Sequence, residues 1–340
     1  MKSLRVLFVT CICLFLISSV SATDNSFKLD FDGDGRTDLA LYREGSRDVN
    51  IAPQPSNWYF MNAVTGAWGG VHWGRTLDIP APADYDGDGK TDFGIYRWWE
   101  FGVGDANEYW LSHSTGSTNG YEVLVYEWEP GYYKFPRNYV GDARAEMAQL
   151  YRINVSQDPS QPCFMSVYFI GDNLNSTIRK TVGDACNVAP IPVPGDYNND
   201  GYSDIAVFNN RTFRVWLPPY TSDSQPAMTE VLDIDYPVPG DYDGDGKTDF
   251  AGTKAADGRL YWIIKQSSTG ATEVHNFGFA TDKPVAGDYD GDGKTDLAVY
   301  RPSDTSWWII FSSSGALFFK QFGFPTDTPL ALPVIPFDPS

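Results

Sequence analysis

The chain has 340 residues, of which 20% are charged and 15% aromatic, and a formal net charge of -19 at pH 7. It carries 25 Lys and Arg against 44 Asp and Glu. It therefore lacks the clustered positive charge that phosphate binding requires, and a nucleic-acid-binding function is not expected. The length fits two ordinary domains or one large all-β domain.

The N-terminus has the pattern of a secretory signal peptide. Lys2 and Arg5 precede an apolar run over 6–20, and Val20-Ser21-Ala22 is a small-residue cleavage site. No later apolar stretch approaches the roughly 18–20 residues of a spanning helix. The sequence predicts a signal peptide over 1–22 and a single domain over 23–340. The protein is then secreted, extracellular or periplasmic, without a membrane span.

An Asp-rich cluster occurs six times along the chain. The best copies, at 84–92 and 288–296, both read Asp-Tyr-Asp-Gly-Asp-Gly-Lys-Thr-Asp. Self-similarity of this kind indicates a repeat architecture. The clusters begin at Asp30, Asp84, Asp142, Asp196, Asp241 and Asp288. They divide the domain into repeats of about 30–83, 84–141, 142–195, 196–240, 241–287 and 288–333.

Short apolar segments follow each cluster. The segment directly after the cluster reads Leu-Ala-Val-Tyr-Arg in the last repeat, at 297–301. Several repeats close on Trp-Gly or Phe-Gly, and a Pro-containing segment then leads to the next cluster. The segments are rich in aromatic and β-branched residues and are bounded by Gly, Asp, Ser and Pro, which indicates strands. An aromatic segment lies in each repeat, at 58–60, 109–111, 168–170, 215–217, 261–263 and 307–309.

Four strands in roughly 40–50 residues are typical of a propeller blade. The sequence therefore predicts an all-β fold, a six-bladed β-propeller of four-stranded blades. A seven-bladed ring is the alternative if the chain ends build a composite blade. A solenoid is disfavoured because it needs atypical capping repeats. The tail at 329–334 is predicted to pair near the strand expected at 27–31 and to close the ring.

The cluster Asp-x-Asp-Gly-Asp-Gly-Lys-Thr-Asp, followed by Leu-Ala-Val-Tyr-Arg, resembles the FG-GAP/VCBS repeats of integrin-α-like propellers. The resemblance covers essentially the whole mature chain. It implies a calcium-binding propeller with calcium loops on one side and ligands on the opposite side. It does not imply a particular ligand.

The nine-residue cluster has the composition of a calcium loop. Four carboxylates at positions 1, 3, 5 and 9 repel one another, and Ca²⁺ removes this conflict because it accepts six to eight oxygens, including a backbone carbonyl at position 7. About five calcium ions are predicted. Their predicted ligands are Asp30, Asp32, Asp34, Arg36, Asp38, Asp84, Asp86, Asp88, Lys90, Asp92, Asp196, Asn198, Asp200, Tyr202, Asp204, Asp241, Asp243, Asp245, Lys247, Asp249, Asp288, Asp290, Asp292, Lys294 and Asp296.

Two departures from this pattern are informative. The third cluster, aligned on Asp142, reads Asp-Ala-Arg-Ala-Glu, has Arg144 in place of a ligand, and is predicted to bind no metal. An EF-hand would need Glu at position 12 and a following helix. Position 12 falls instead inside predicted strands, at Leu41, Ile95, Val207, Gly252 and Val299.

Cys163 and Cys186 are the cysteines that remain after the signal peptide. An even pair in an oxidising compartment predicts one disulfide, with two buried free thiols as the alternative. Both cysteines lie in the third repeat, so the disulfide is expected to stabilise the blade that lacks a metal loop.

No catalytic motif was found, and the chain is predicted not to be an enzyme. His72, His113 and His275 are interpreted as core or surface residues. Three tryptophans outside the repeated aromatic segments could pack or could bind sugars: Trp98, Trp99 and Trp128. Long connections at 44–57, 98–108 and 153–167 would crowd one half of the face opposite the calcium loops, as tolerated loops or as a binding surface.

These observations predict a secreted calcium-binding propeller that acts as a binding or adhesion module for a carbohydrate or a surface protein. Two alternatives remain. One is a polysaccharide-degrading enzyme that uses carboxylates on the same face, and the other is a structural envelope or matrix component.

Overall fold

The computed structural model describes residues 28–45, 54–98, 107–112, 122–126, 133–134, 136–139, 144–153, 164–170, 177–184, 190–218, 220 and 225–331. Within these ranges every element of regular secondary structure is a β-strand, as the predicted all-β fold requires. The predicted signal peptide and both cysteines lie outside them. No helix among the described residues is long and apolar enough to cross a bilayer.

The strands form six antiparallel four-stranded sheets within the described part of the chain. The first sheet contains β1 (Asp38–Arg43), β2 (Asn57–Asn62), β3 (Trp68–His72) and β24 (Thr328–Leu330). The other five sheets are called blades 2 to 6, in chain order. Blade 2 contains β4 (Ile79–Pro80), β5 (Phe93–Trp98), β6 (Asn107–Ser112) and β7 (Glu122–Tyr126), and blade 3 contains β8 (Tyr133–Lys134), β9 (Met147–Ile153), β10 (Phe164–Ile170) and β11 (Thr177–Asp184). Blade 4 contains β12 (Ile191–Pro192), β13 (Ile205–Asn209), β14 (Thr212–Trp216) and β15 (Met228–Val231). Blade 5 contains β16 (Tyr236–Pro237), β17 (Phe250–Ala256), β18 (Arg259–Lys265) and β19 (Thr272–Phe279), and blade 6 contains β20 (Lys283–Pro284), β21 (Leu297–Arg301), β22 (Ser306–Ile310) and β23 (Leu317–Gln321).

The predicted blade count requires correction. Five blades, numbered 2 to 6 above, are each formed by one continuous segment, and the remaining sheet is a composite of both ends of the chain. The predicted count of six blades, and the alternative of seven, are therefore wrong: five blades are formed by continuous segments. The physical reason is that the first strand of each continuous blade precedes its Asp loop, and residues 28–30, the described residues before the first Asp loop, form no strand.

The C-terminal strand supplies the missing position. In β24, Leu330 pairs with Ala40 and Thr328 with Tyr42 of β1. The pairing partner is therefore β1, not the predicted strand at 27–31, and residues 28–31 are not in a strand. The composite sheet carries the first Asp loop.

Tryptophans of the second strands explain the Trp-Gly and Phe-Gly closures. Trp58, Trp262 and Trp307 are at most 1% exposed. Each indole Nε1 donates to the carbonyl of the residue before the closing Gly, at Trp73 (3.1 Å), Phe277 (2.9 Å) and Phe322 (3.2 Å). The buried indole thus satisfies its one donor while its ring fills the core between strands.

Backbone hydrogen bonds join neighbouring Asp loops into a closed ring. In each case an amide of one loop donates to a carbonyl of the loop before it. The pairs are Thr91 to Asp30, Ala145 to Asp84, Ser203 to Asn138, Thr248 to Asp196, Thr295 to Asp241 and Thr37 to Asp288, at 2.6–2.8 Å. The last pair joins the composite sheet to blade 6, so the loops lie together at one end of the propeller.

Candidate metal sites

The first carboxylate of each loop organises the backbone around it. In loop 1 (30–38), Asp30 Oδ1 accepts from Gly33 N over 2.6 Å and Asp30 Oδ2 accepts from Gly35 N over 2.7 Å. Both glycines have a positive φ, +82° and +84°, a conformation that side-chain-bearing residues adopt only at a cost. The same two hydrogen bonds occur in loop 2 (84–92), loop 4 (196–204), loop 5 (241–249) and loop 6 (288–296), with Asn199 at a φ of +63° in place of the first glycine in loop 4.

The carboxylate at position 9 is buried. Asp38 is 1% exposed, and its Oδ2 accepts from Phe31 N over 2.9 Å. Its Oδ1 is buried and has no hydrogen-bond partner. Asp290 Oδ1, at position 3 of loop 6, is buried without a partner as well. Orphaned buried carboxylate oxygens are costly unless a cation binds them.

Positions 1, 3 and 9 converge. Each residue offers one carboxylate oxygen, and within a loop these oxygens all lie within 4.8 Å of one another. Among the described residues this holds in four loops, at Asp30, Asp32 and Asp38; Asp84, Asp86 and Asp92; Asp241, Asp243 and Asp249; and Asp288, Asp290 and Asp296. These clusters could hold metal ions. Loop 4 offers Asp196 and Asp204, with the Asn198 amide at position 3.

The predicted ligands at positions 5 and 7 are placed differently. Asp34 is outside the cluster of its loop; its Oδ1 accepts from Arg36 N over 3.0 Å and its Oδ2 from Arg36 Nη1 over 2.7 Å. The position-5 carboxylates of the other loops likewise accept from the backbone N–H of position 7, in Lys90, Tyr202, Lys247 and Lys294. The carboxylate at position 5 therefore orients the peptide group at position 7.

Burial makes ionisation of these carboxylates unfavourable. Burial, the main cause, and the neighbouring carboxylates of Asp32, Asp30 and Asp34 together raise the pKa of Asp38 to about 7. Burial is also the main cause of the raised pKa of Asp84, Asp249 and Asp296, each to about 6. A bound cation would relieve this penalty because it favours the charged form.

The described ends of the third loop, 136–139 and 144–146, show a register different from the predicted one. Tyr139 N donates to Glu146 Oε2 over 2.5 Å, as position 2 does to position 9 elsewhere, and Ser203 N donates to Asn138 O. The loop therefore runs over 138–146, and the predicted alignment on Asp142 is wrong by four residues. The error arose because Asn138 replaces the Asp used as the alignment mark.

Two buried charged residues lie at the ends of this third loop. Arg137 is 0% exposed and Glu146 1% exposed, and they face each other in an antiparallel bridge. Arg137 Nη1 also donates to Pro136 O over 2.6 Å. The residue before the loop is small or aliphatic elsewhere, as in Ala83 and Gly195. The Arg137 guanidinium thus places a buried positive charge beside this loop. Arg is almost never fully buried unless it is paired.

The turn after the second strand covers its own loop, a feature that sequence reasoning missed. Ser267 Oγ donates to Asp245 Oδ1 over 2.8 Å, and Ser268 Oγ to Asp243 Oδ2 over 2.6 Å. In loop 6 Ser312 and Ser313 do the same to Asp292 and Asp290, and in loop 1 the Asn62 amide donates to Asp34 and Asp32. The repeated Ser-Ser-(Thr/Ser)-Gly at 267–270 and 312–315 was the available signal.

Arg–Asp pairs lie at the other end of the strands and were also missed. Arg97 donates to Asp78 over 2.8 and 2.7 Å, and Arg301 to Asp282 over 3.0 and 2.8 Å. Each aspartate also accepts a backbone N–H from its own turn, in Arg75 and Phe279. The signal was Gly-x-x-x-Asp after each closure, at 74–78, 278–282 and 323–327.

The side chains of the tryptophans that were predicted to bind a ligand lie outside the described part of the chain. Trp98 ends β5, and its side chain lies outside the description, as do Trp99, Trp128 and His113. His72 contacts Asn57, and His275 Nε2 lies 3.1 Å from Glu273 Oε2; both histidines are on outer strands of different sheets.

Comparisons with known proteins point to the repeat. Residues 241–299 match the family described as FG-GAP-like repeat, and no curated protein matches. TolB from Acinetobacter baumannii is 11% identical with a TM-score of 0.47, over 85% of this chain and 64% of TolB. A provisionally assigned 6-phosphogluconolactonase from Bacteroides fragilis NCTC 9343 is 12% identical with a TM-score of 0.37, over 86% and 96%. This chain thus spans 64% of the length of TolB. The described residues thus form a β-propeller of four-stranded sheets, and residues 241–299 of this propeller match an FG-GAP-like repeat.

Proposed function

We propose that this chain is a secreted, calcium-binding propeller that acts as a binding module for a carbohydrate or a surface protein. The observation that carries the metal assignment is the Asp38 carboxylate. It is 1% exposed, has one oxygen without a hydrogen-bond partner, and lies in a cluster with Asp30 and Asp32. A divalent cation would supply the missing partner and favour the charged form of this group.

The donor chemistry favours calcium among the divalent ions. All predicted ligand atoms are oxygens from carboxylates, an amide and backbone carbonyls, and hard cations prefer such ligands. Several carboxylates from one short, flexible loop suit the larger ion, since Mg²⁺ demands near-octahedral geometry and retains its waters. Affinities of roughly 10⁻⁴–10⁻³ M, as in extracellular modules, are expected.

The proposed ligand surface is the face opposite the Asp loops. β1 leaves loop 1 at Asp38 and ends at Arg43, so the connection over 44–56 begins at the far end of the strand. The connections over 99–106 and 154–163 begin at the equivalent ends of β5 and β9. Blades 4, 5 and 6 use short connections instead, over 210–211, 257–258 and 302–305. Long insertions on one face of a repeat protein often form its binding surface.

The metal assignment is tested by a calcium count on the protein equilibrated in free calcium well above the expected Kd, paired with thermal unfolding at that calcium concentration and in excess EGTA. About five calcium ions and a large loss of stability in EGTA are expected. Free calcium at 100 times the Kd of a site adds about 2.7 kcal/mol to the free energy of unfolding for that site. No bound calcium and no shift would contradict the proposal.

The ligand assignment is tested separately by glycan-array binding. We expect binding that is weakened in Trp98→Ala or Trp99→Ala, with Trp68→Ala as the control, since Trp68 is an exposed tryptophan on an outer strand. Product release from a polysaccharide would instead favour an enzyme.

A further inference from the structure

The eighth residue of a loop holds the neighbouring loop. Thr91, at position 8 of loop 2, is 2% exposed, and its N–H donates to Asp30 O over 2.7 Å. Asp30 N donates in turn to Thr91 Oγ1 over 2.9 Å, and this hydroxyl donates to Lys28 O over 3.0 Å. The backbone of Asp30, a predicted metal ligand of loop 1, is therefore held on both sides by one threonine of the next blade.

The same arrangement recurs around the ring. Thr37 N donates to Asp288 O over 2.7 Å, and Asp288 N donates to Thr37 Oγ1 over 3.1 Å. The hydroxyl groups of Thr248 and Thr295 lie against Gly195 and Gly240, where an added Cβ would come within 2.6 Å of each Oγ1. At these two loops the neighbouring threonine fills the space that a side chain before the loop would take, whereas Leu29 precedes loop 1.

Each threonine is also enclosed by ligands of its own loop. Thr91 lies between Lys90, whose carbonyl is a predicted ligand of loop 2, and Asp92, whose carboxylate belongs to the cluster of that loop. Asp92 is itself fixed, because its Oδ2 accepts from Tyr85 N over 2.9 Å. Ordering positions 7 and 9 of loop 2 around an ion therefore orders Thr91, and Thr91 orders Asp30.

We propose that the position-8 threonine is a positioning residue for the metal site of the adjacent blade, so that metal binding in neighbouring loops is coupled around the ring. This inference rests on the proposed calcium binding. Coupling between two sites is reciprocal, and typical values change affinity by about 5- to 150-fold.

The test is calcium titration calorimetry of the mature chain and of Thr91→Val. Valine has the shape of threonine but lacks the hydroxyl, so Asp30 N loses its buried acceptor while no predicted ligand atom changes. We expect one site to bind calcium about five- to tenfold more weakly. Thr91→Ser keeps the hydroxyl and is expected to restore the affinity, and thermal unfolding in calcium checks that both variants fold.

A double-variant cycle locates the effect. Asp38→Asn removes an essential carboxylate of loop 1, and in this background Thr91→Val is expected to cause no further weakening of the remaining sites. An effect that persists in this background would mean that Thr91 acts inside loop 2, and the inference would be overturned. It would also be overturned if Thr91→Val titrated like the unchanged chain. If the unchanged chain bound no calcium, the proposed function itself would fail, and this inference with it.

Discussion

The Arg43 guanidinium donates two hydrogen bonds to the Asp327 carboxylate across 284 residues of sequence, Nε to Oδ1 over 2.6 Å and Nη2 to Oδ2 over 2.9 Å. The Asp327 side chain is fully buried. Arg43 also stacks over the rings of Tyr59 and Phe324, at 4.7 and 4.4 Å. This pair joins the two ends of the chain beside β24, where the composite sheet closes.

Asp327→Asn is expected to lower the free energy of unfolding by about 2 kcal/mol, because a bidentate, charge-assisted pair is replaced by a neutral amide in a buried position. Urea unfolding measures the change. Asp282→Asn, which breaks the equivalent pair with Arg301 inside one continuous blade, is the matched comparison. Only Asp327→Asn is expected to speed hydrogen exchange in β24, and equal exchange in both variants would contradict a closing role.

Two glycines of loop 1 separate backbone strain from steric contact. Gly33 and Gly35 have nearly equal positive φ, +82° and +84°. A Cβ at Gly33 would lie 2.4 Å from Lys90 Cε of the next loop, whereas nothing lies within 4 Å at Gly35. Alanine at either position is expected to cost about 1 kcal/mol for its φ.

Gly33→Ala should therefore lower the free energy of unfolding by about 1 kcal/mol more than Gly35→Ala, since Lys90 must move. Chemical denaturation of both variants measures the difference. The extra cost is expected to vanish when Gly33→Ala is combined with Lys90→Ala. An additive double variant would mean that Lys90 does not lie over loop 1.

The serine turn over loop 5 is expected to tune its metal affinity. Ser268 Oγ donates to Asp243 Oδ2 over 2.6 Å, and partners that orient a ligand typically change metal affinity about 10- to 100-fold. Ser268→Ala is therefore expected to weaken one calcium site about tenfold in a calorimetric titration. Ser314→Ala is the control, because the Ser314 hydroxyl accepts from Ala316 N. An unchanged titration of Ser268→Ala would rule out this role.

Arg137 is expected to be essential for the third loop. Arg137→Met keeps most of the side-chain volume but removes the guanidinium that donates to Pro136 O, and the backbone of Arg137 pairs with that of Glu146. Losing a hydrogen bond made by a buried charged group typically costs about 1.5–3 kcal/mol. We expect a loss of that size in urea unfolding.

Arg211→Met provides the comparison, because Arg211 pairs with Asp233 and both side chains are more than half exposed. It should change the free energy of unfolding by no more than about 0.5 kcal/mol. Equal effects of Arg137→Met and Arg211→Met would show that the buried charge of Arg137 is not needed.

Local features of the sequence predicted most of the blade. The aromatic segments form the second strands, and the Leu-Ala-Val-Tyr-Arg segment forms β21, because both patterns depend on burial within a few residues of chain. The convergence of positions 1, 3 and 9 was predicted for the same reason: a nine-residue loop is short enough for its composition to dictate its shape. The third loop shows the limit of this approach, since one Asn in place of Asp shifted the alignment by four residues.

The sequence by itself determined the repeat, the all-β fold and the composition of the metal loops, because each depends on contacts between residues close together in the chain. The tertiary structure decided how many blades are continuous, which strand closes the ring, and which threonine holds which loop. These relationships join residues such as Thr37 and Asp288, 251 positions apart. No local pattern records such contacts, because they form only when neighbouring sheets pack and bring their loops together at one end.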